Sequence, residues 1–455
     1  MAEEEELEEK KHENEPFDYN SVDPLAAIGY IAEPGDIYYI NPPQELNTYP
    51  MYIDNPQKIE KKVGAYISYT LNGTDITEKM SRRYSDFHAL YEKLLIRWPG
   101  IYIPRIPPKK MTKNYSRKMI KRRMRLLNRF CLNLSNIDYL YSSDETSLFK
   151  GNTPDLVNAI TKLPDLSIEE YLAKLKDAFP QYDENYDILI GKGKINEFDM
   201  FLKKSLKTIE VFQKSVESAA EKREHEKKKY IDLINGLVDY EKNGMILYAD
   251  DNNNCLIFTN PAYTELTEKV NKLKDEMINP YTAFKDWLEE EVLDAEAMSI
   301  AIKGINELIE KEEKYRHKFD SLELDLKKLG GNSRTSIKTI FKKKENLIAK
   351  KQKERDEAQE KLDNMSLVVK IVAENMENQI EEFKNLKTQT YYKYLKIFAI
   401  LQRESNRVIR ELWTLVRNAL NEVAPNASAA NEDFIAQPIS TEQNDEEQID
   451  GDEND

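Results

Sequence analysis

Several features that would define a protein class directly are missing from this chain. Only two cysteines, Cys131 and Cys255, occur in 455 residues, which excludes a disulfide framework and indicates a reducing compartment. No apolar run approaches the ~18 residues that a membrane-spanning helix needs. The first residues, MAEEEELEEKK, lack the apolar core of a secretory signal. We therefore expect a cytosolic protein that meets a membrane only at its surface.

Basic residues are scarce at the start of the chain and absent from its last segment. Residues 1–16 hold eight glutamates and two lysines, and residues 424–455 hold ten acidic residues without Lys or Arg. These two ends carry a net charge of −16, against −15 for the whole chain, so the rest is nearly neutral. We predict acidic, largely disordered segments over residues 1–48 and 424–455.

Signatures of catalysis are also missing. The four histidines, at positions 12, 88, 225 and 317, lie far apart, with neither a paired nucleophile nor a metal-ligand spacing. The sequence has no glycine-rich phosphate loop. We therefore predict that the protein is not an enzyme and that it needs no cofactor or metal.

Residues 49–154 predict an α+β domain. MYIDNPQKI and GAYISYTL have strand composition, and Asn72-Gly73 is a strong turn signal. A third strand leads into SRRYSDF, and FHALYEKLLIRW follows with helical spacing until Pro99-Gly100. RKMIKRRMRLLNRFCLNL predicts another helix. This order is typical of a three-stranded antiparallel sheet covered by helices.

Acidic residues are absent from residues 101–130, which hold eleven lysines and arginines. In a chain with an excess of acid, such a segment indicates an anion site. A phosphate site needs the planar fork of arginine and the point charge of lysine, and a sugar-like ring needs a flat apolar wall. Arg83, Tyr84, Lys109 and Arg123 supply these groups if the fold brings them together. Taken alone, Tyr84 is alternatively an ordinary strand aromatic of the core.

These stretches together resemble the PX (phox-homology) domain of sorting nexins. RRYSDF is similar to the strand end of that family, and residues 103–109, IPRIPPK, fit its apolar-Pro-x-x-Pro-x-Lys loop. Arg123 fits its late arginine. The resemblance implies a binding site for phosphatidylinositol 3-phosphate.

The resemblance also implies a role for each residue of this site. Arg83 would bind the 3-phosphate, with Ser85 assisting. Tyr84 would pack on the inositol ring. Lys109 would meet the 1-phosphate, and Arg123 would bind the 4- and 5-hydroxyls.

The late arginine has a second candidate, because Arg123 follows Lys109 by only 14 residues, a shorter loop than in many sorting nexins. Arg122 is that alternative. General attraction to anionic membranes, worth ~1 kcal/mol per residue near the surface, is assigned to several other cations. They are Lys110, Arg117, Lys118, Lys121, Arg122 and Arg125. A nucleic-acid patch is disfavoured because the set of aromatic residues that a stacking platform needs is not interleaved with these cations.

Residues 155–194 predict a linker with one amphipathic helix, SIEEYLAKLKDAF. Ser167 followed by Glu170 is a capping-box pattern, and Pro180 closes the helix. The helix either lies in the headgroup layer or packs on the neighbouring module. Its mixed charge favours packing.

Proline is scarce in residues 195–423, where helical periodicity continues almost without interruption. We predict three long helices, with Asn260 as the cap of the second and a kink at Pro280. Their predicted ranges are residues 195–243, 260–329 and 336–423. Gly330-Gly331 separates the second helix from the third.

The break at Gly330-Gly331 is rich in lysine. A cationic tip on a long helical arm would contact anionic lipid. The residues assigned to this contact are Lys338, Lys342, Lys343 and Lys344. The alternative is an ordinary solvated helix end.

A PX-like module followed by three long helices resembles the PX-BAR class of sorting nexins. The resemblance implies an all-α, three-helix coiled-coil BAR domain at residues 195–423, which forms a homodimer or a heterodimer with another sorting nexin. It further implies curvature sensing or induction at the cytosolic face of early endosomes, in the sorting and recycling of cargo, and a retromer-like complex as a candidate partner. The alternative is a phosphoinositide-addressed scaffold or tether without membrane remodelling. Nucleic acid is not an expected partner.

Overall fold

The computed structural model describes residues 49–60, 65–109, 116–248, 256–331 and 338–423. Side chains are not described at residues 117–118, 330–331 and 338–345. The predicted acidic ends, Lys110 and the side chains of the lysines at the predicted cationic tip therefore lie outside the described residues.

Strands come first in the chain and helices follow. The strands are β1 (Tyr52–Glu60), β2 (Ala65–Asn72) and β3 (Met80–Arg83). The shorter helices are α1 (Tyr84–Arg97), α2 (Arg117–Ser135), α3 (Asp138–Tyr141), α4 (Asp144–Lys150), α5 (Leu156–Thr161) and α6 (Ile168–Ala178). The remaining helices are α7 (Ile188–Asn243), α8 (Thr264–Glu276), α9 (Tyr281–Gly331) and α10 (Lys338–Val423), with a 3-10 helix at Met245–Tyr248.

The sheet has the strand order β1-β2-β3, and both pairs are antiparallel, as the sequence predicts. The chain leaves β2 at Gly73, where any Cβ would collide with the carbonyl oxygen of Pro50. Helix α2 lies against β1, because the Asn128 amide donates to Ile53 O at 2.8 Å and accepts from Ile53 N. We call this sheet and helices α1 to α5 the sheet domain.

Helix α6 begins at the predicted cap. Glu170 N donates to Ser167 Oγ at 3.2 Å, and Ser167 N donates to Glu170 Oε2 at 2.7 Å. The apolar face of α6 is buried through Tyr171, Leu172 and Leu175. That face packs inside the protein, so it is not presented to a bilayer.

The predicted second long helix is wrong in its first part. Residues 277–280 are not helical, so the segment is divided into α8 and α9. Pro280 has no N–H to continue a helix, and its ring disfavours helical geometry at Asn279. The Asn279 side chain instead accepts from Tyr281 N at 3.2 Å, which starts α9.

Two predicted helix starts are also wrong. Asn260 is not a helix cap, because its Oδ1 accepts from Ala262 N at 3.0 Å within a turn, and α8 begins only at Thr264. Helix α7 begins at Ile188, seven residues before the predicted Ile195. Asn and Asp side chains often make such local turns, which compete with helix initiation.

The described residues divide into two compact units: the first holds those up to Glu217 together with Ala283–Ile397, and the second holds Ser218–Thr282 together with those from Phe398 onward. The first contains the sheet domain, α6 and parts of α7, α9 and α10. The second has its own core, which includes Ile234, Phe258, Leu266, Leu273, Val408 and Leu412. The core of the first unit runs across residues 154 and 194, so the predicted domain boundaries there stay a prediction.

One hydrophobic core joins the sheet domain to α9 and α10. Its buried members include Ile53, Tyr69, Phe87, Leu94 and Ile101 from the sheet domain and Ala301, Ile305, Val368, Val372 and Met376 from the two helices. At the contact, a Cβ added to Gly304 would lie 2.5 Å from Gly100 N. A Cβ added to Gly100 would lie 2.6 Å from Val372 Cγ1. The Pro99-Gly100 turn therefore ends α1 and also seats the sheet domain on α9.

Replacement of Gly304 tests this close approach. We expect Gly304→Val to lower the free energy of unfolding by about 1–3 kcal/mol, because the side chain has to displace the backbone of the turn. Gly193→Val is the matched control, since Gly193 is also helical but has nothing within 4 Å of its Cβ position. Urea unfolding followed by circular dichroism measures both. Equal losses would mean that the glycine contact does not carry the stability.

A buried ion cluster ties α1, α4 and α6 together. Arg97 donates to Glu145 and to Asp144, the latter at 3.2 Å, and Lys174 Nζ donates to Glu145 Oε1 at 3.2 Å. The Lys174 ammonium also lies 4.0 Å from the centroid of the Trp98 ring. Burial alone would raise the pKa of Glu145, but Lys174, hydrogen bonds and Arg97 hold it below its ordinary value. The cluster therefore holds Glu145 charged inside the protein.

Acid should weaken this cluster. Because the Glu145 pKa is lower in the folded than in the unfolded chain, its contribution is complete above pH ~4.5 and is lost as the pH falls through the folded value. Glu145→Gln should destabilise the protein by about 3–5 kcal/mol at neutral pH, since it leaves buried cations unpaired. On acidification, the free energy of unfolding of the Glu145→Gln variant should therefore fall less than that of the wild type.

Urea midpoints measured from neutral to acid pH provide the check. The exposed Glu78→Gln serves as the control and should follow the wild type. An identical pH dependence in Glu145→Gln and wild type would contradict the assignment.

Candidate functional site

The two adjacent arginines of SRRYSDF have different surroundings. Arg82 is only 6% exposed, and it donates to Phe149 O at 3.0 and 2.8 Å and to Gly151 O at 2.7 Å. Arg83 is partly exposed, its Nε lies 3.5 Å from Asp86 Oδ1, and its guanidinium lies 5.5 Å from the centroid of the Tyr66 ring. Arg82 therefore holds the fold together, and Arg83 is accessible to a ligand.

Helix α1 begins immediately after Arg83 and places its N-terminus at the site. Asp86 supports this start, because its Oδ2 accepts from Arg83 N at 2.9 Å. The N-terminal end of a helix carries partial positive charge and favours anions. Tyr84 and Ser85 lie in this first turn.

The Tyr84 ring is held between two other parts of the sheet domain. Its hydroxyl donates to Pro107 O at 2.7 Å, in the proline-rich loop. The Arg123 guanidinium of α2 lies 5.0 Å from the ring centroid. Burial raises the pKa of Tyr84 and Arg123 opposes this rise, so the phenol stays protonated near neutral pH. Three separate stretches of the sequence thus meet at one ring.

Tyr84, Ser85 and Lys109 line one cleft of about 410 Å³. Its other lining residues are His88, Ala89, Glu92, Lys93, Ile96, Val157 and Thr161. Arg83 and Arg123 do not line this cleft; Arg83 precedes Tyr84 in the chain, and Arg123 lies against its ring. We call these five predicted ligand residues the socket. Their roles as ligands stay a prediction.

The sequence reasoning missed the far side of this cleft. His88, Glu92 and Ile96 follow Tyr84 at intervals of four residues, so they share its helix face. That spacing was a usable signal. Val157 and Thr161 carried none, because they belong to a segment that was predicted to be a linker.

Arg122 and Arg125 differ from the expectation of free membrane-facing cations. Arg122 pairs with Glu289 of α9, and this hydrogen bond raises the Arg122 pKa. Arg125 pairs with Glu289 at 3.0 Å and with Asp286 at 3.1 Å. Their charges are compensated inside the protein, and Arg123 rather than Arg122 lies beside Tyr84.

A larger cleft, of about 1410 Å³, lies between α2, α9 and α10. None of the socket residues lines it. Volume alone therefore does not mark the candidate site, whereas the convergence of cations on an aromatic ring does. Among the described residues, no group of three or more His, Cys, Asp or Glu is placed to hold a metal.

Comparison with known proteins supports the two parts of the fold. Residues 72–150 match the family model of the PX domain. Mouse sorting nexin-18 is 36% identical over 86 residues, 18% of this chain and 14% of that protein. Human sorting nexin-33 is 35% identical over 77 residues, 16% of this chain and 13% of that protein. The matched regions are thus a small part of either relative.

The helical region is matched by structure rather than by sequence. The cryo-EM structure of the SNX-BAR Mvp1 tetramer aligns with a TM-score of 0.51 and 15% identity, and it covers 80% of this chain and 99% of that chain. The chain therefore has a PX domain and the fold of a PX-BAR sorting nexin, as the resemblance implies. No helix in the described residues is long and apolar enough to cross a membrane.

Exchange of each arginine separates the two roles within SRRYSDF. We expect Arg82→Gln to lower the free energy of unfolding by about 1–3 kcal/mol, because it leaves buried carbonyl oxygens unsatisfied. Arg83→Gln is the matched variant and should cost less than about 1 kcal/mol, since its ion pair with Asp86 is partly exposed. Thermal and urea unfolding of the two variants decide the question, and a greater loss for Arg83→Gln would reverse the assignment.

Proposed function

We propose that the protein is a peripheral membrane protein that binds phosphatidylinositol 3-phosphate in the socket. The observation that carries this proposal is the meeting of Tyr84, Lys109 and Arg123, from three separate stretches, beside the exposed Arg83. Arginine forks and a lysine bind phosphate oxygens, and the Tyr84 ring offers a flat wall for the inositol. The N-terminus of α1 adds positive potential for the 3-phosphate.

The helical region supports a second activity, the sensing or induction of membrane curvature as a dimer. Helices α7 and α10 expose large apolar side chains in each compact unit, and such patches mark protein interfaces. In the first unit they include Met200, Phe201, Val211, Tyr392 and Leu395, and in the second Leu233, Tyr240 and Trp413. We infer a homodimer or a heterodimer with another sorting nexin. The structural relative is itself described as a tetramer.

The proposed site of action is the cytosolic face of early endosomes, in the sorting and recycling of cargo. This part of the proposal rests on the PX domain and the PX-BAR fold. A retromer-like cargo complex is a further candidate partner, supported only by the resemblance. The competing function is a phosphoinositide-addressed scaffold or tether, which would bind the lipid without reshaping the membrane.

Liposome binding tests the socket. We expect the protein to sediment with vesicles of phosphatidylcholine and phosphatidylserine only when phosphatidylinositol 3-phosphate is added. Arg83→Ala should weaken this binding by about 2–5 kcal/mol, because it removes the charged partner of the 3-phosphate. Lys58→Ala is the matched control, since Lys58 is an exposed cation whose described ion pair is with Glu60, and neither of them is a socket residue.

Equal binding of wild type and Arg83→Ala to all vesicles would refute the socket. Vesicles with other phosphoinositides would measure the headgroup preference. Electron microscopy of the same samples separates the two functions, since tubules support remodelling and smooth, protein-coated vesicles support the tether.

A further inference from the structure

Four arginines of the sheet domain are paired with one acidic face of α9. Arg105 pairs with Glu296 at 3.0 Å, and Arg129 pairs with Asp294 at 2.5 Å and Glu290 at 3.2 Å. The pairs of Arg122 and Arg125 with the same helix are described above. We call this set the arginine clamp: Arg105, Arg122, Arg125 and Arg129 with Asp286, Glu289, Glu290, Asp294 and Glu296. It lies within the first compact unit.

The clamp has a buried centre that reaches a third helix. The Asp294 side chain is 5% exposed, and it accepts from Arg129 of α2 and from Lys387 of α10 at 2.5 Å. Lys387 also donates to Glu291 at 2.9 Å, and Trp287 Nε1 donates to the same carboxylate at 2.9 Å. A buried carboxylate with cations on two sides is costly to leave unpaired, so it strongly favours this arrangement of helices.

The clamp extends past the apolar core that seats the sheet domain, because the core residues of α9 run from Ala295 to Leu308 and Asp286, Glu289 and Glu290 precede them. Gly304 lies 10 residues from Asp294 and 18 from Asp286. At 1.5 Å per residue these intervals span about 15 and 27 Å along α9. The ion pairs of the clamp therefore lengthen the attachment of the sheet domain along α9, and a longer attachment resists rotation of the domain more strongly than the core alone.

Helix α2 carries the clamp and the socket on different sides. Arg122, Arg125 and Arg129 are spaced by three and four residues, so they share one helix face. Arg123 directly follows Arg122, so it points about 100° away from that face around the helix axis. Its guanidinium lies over the Tyr84 ring. A change in the seating of α2 on α9 therefore moves the socket as well.

We propose that Arg122, Arg125 and Arg129 are positioning residues that hold the socket at one fixed angle to α9 and α10. The lipid site and the neighbouring parts of α9 and α10 within the first compact unit then meet a bilayer in one fixed orientation. The membrane part of this inference rests on the proposed function. The rigid angle does not, because it is a property of the protein without lipid.

Opposite charge changes test the clamp. Arg125→Glu with Arg129→Glu breaks it and lowers the net charge by four. Asp286→Arg with Glu290→Arg also breaks it and raises the net charge by four. The combination of all four substitutions leaves the net charge unchanged and restores opposite charges in three of the five pairs of Arg125 and Arg129; Glu289 and Asp294 then face glutamates. Arg125→Gln with Arg129→Gln is a milder break, to be used if a reversal fails to fold.

The first measurement needs no lipid. Spin labels are attached through Lys162→Cys and Lys303→Cys, both exposed, in a Cys255→Ser background, with Cys131 buried and unlabelled. We expect one narrow distance distribution in the wild type, a broad one in each broken clamp, and one of intermediate width in the fourfold exchange. Narrow, unshifted distributions in the broken variants would overturn the proposal.

The second measurement uses water-soluble, short-chain phosphatidylinositol 3-phosphate and vesicles containing the full-length lipid. Both broken clamps should bind the short-chain lipid as the wild type does, yet lose tubulation. If vesicle shaping instead rises with one reversal and falls with the other, net charge governs it and positioning is refuted. If the wild type binds neither lipid, the proposed function fails, and the spin-label distances still decide the clamp.

Discussion

Direct backbone contact between a tight turn of the sheet domain and a long helix is the constraint on which the rest of the first unit depends. Gly100 and Gly304 leave no room for a side chain, so the turn and α9 approach more closely than ordinary packing permits. This approach lets the apolar side chains of the sheet domain join those of α9 and α10 in one core. The ion pairs of α2 and the cap of α6 add to the stability of an arrangement that this core already defines.

Arginines of the sheet domain serve three different purposes because they lie on different faces of the fold. Arg82 is buried against backbone carbonyls, Arg83 is a partly exposed member of the socket, and Arg125 is paired with acidic residues of α9. Of the eleven cations over residues 101–130, four are paired with acidic residues of α9: Arg105, Arg122, Arg125 and Arg129. A count of cations along the sequence overstates the charge that the protein presents to a membrane.

The sequence predicted what local chemistry decides. The sheet, the cap at Ser167 and the long apolar stripes all follow from patterns that span a few residues. The sequence predicted a kink at Pro280, whereas the helix ends before this residue and a new helix begins after it. The Asn279 side chain forms a turn here that proline alone does not require. The ion pairs of Arg122 and Arg125 join residues about 165 positions apart, and no periodicity reports such contacts. The convergence at Tyr84 came from family resemblance, not from spacing.

The burial of α6 has a consequence for the connection between the sheet domain and the long helices. An unstructured connection over residues 155–194 would leave the sheet domain free to move relative to the long helices. Binding by both parts would then depend on the effective concentration that the length of the connection sets. Here α6 is packed into the core of the first unit, so the length of the connection does not set such an effective concentration. Under the proposed function, lipid binding at the socket therefore also sets the distance between the bilayer and the parts of α9 and α10 that belong to the first unit.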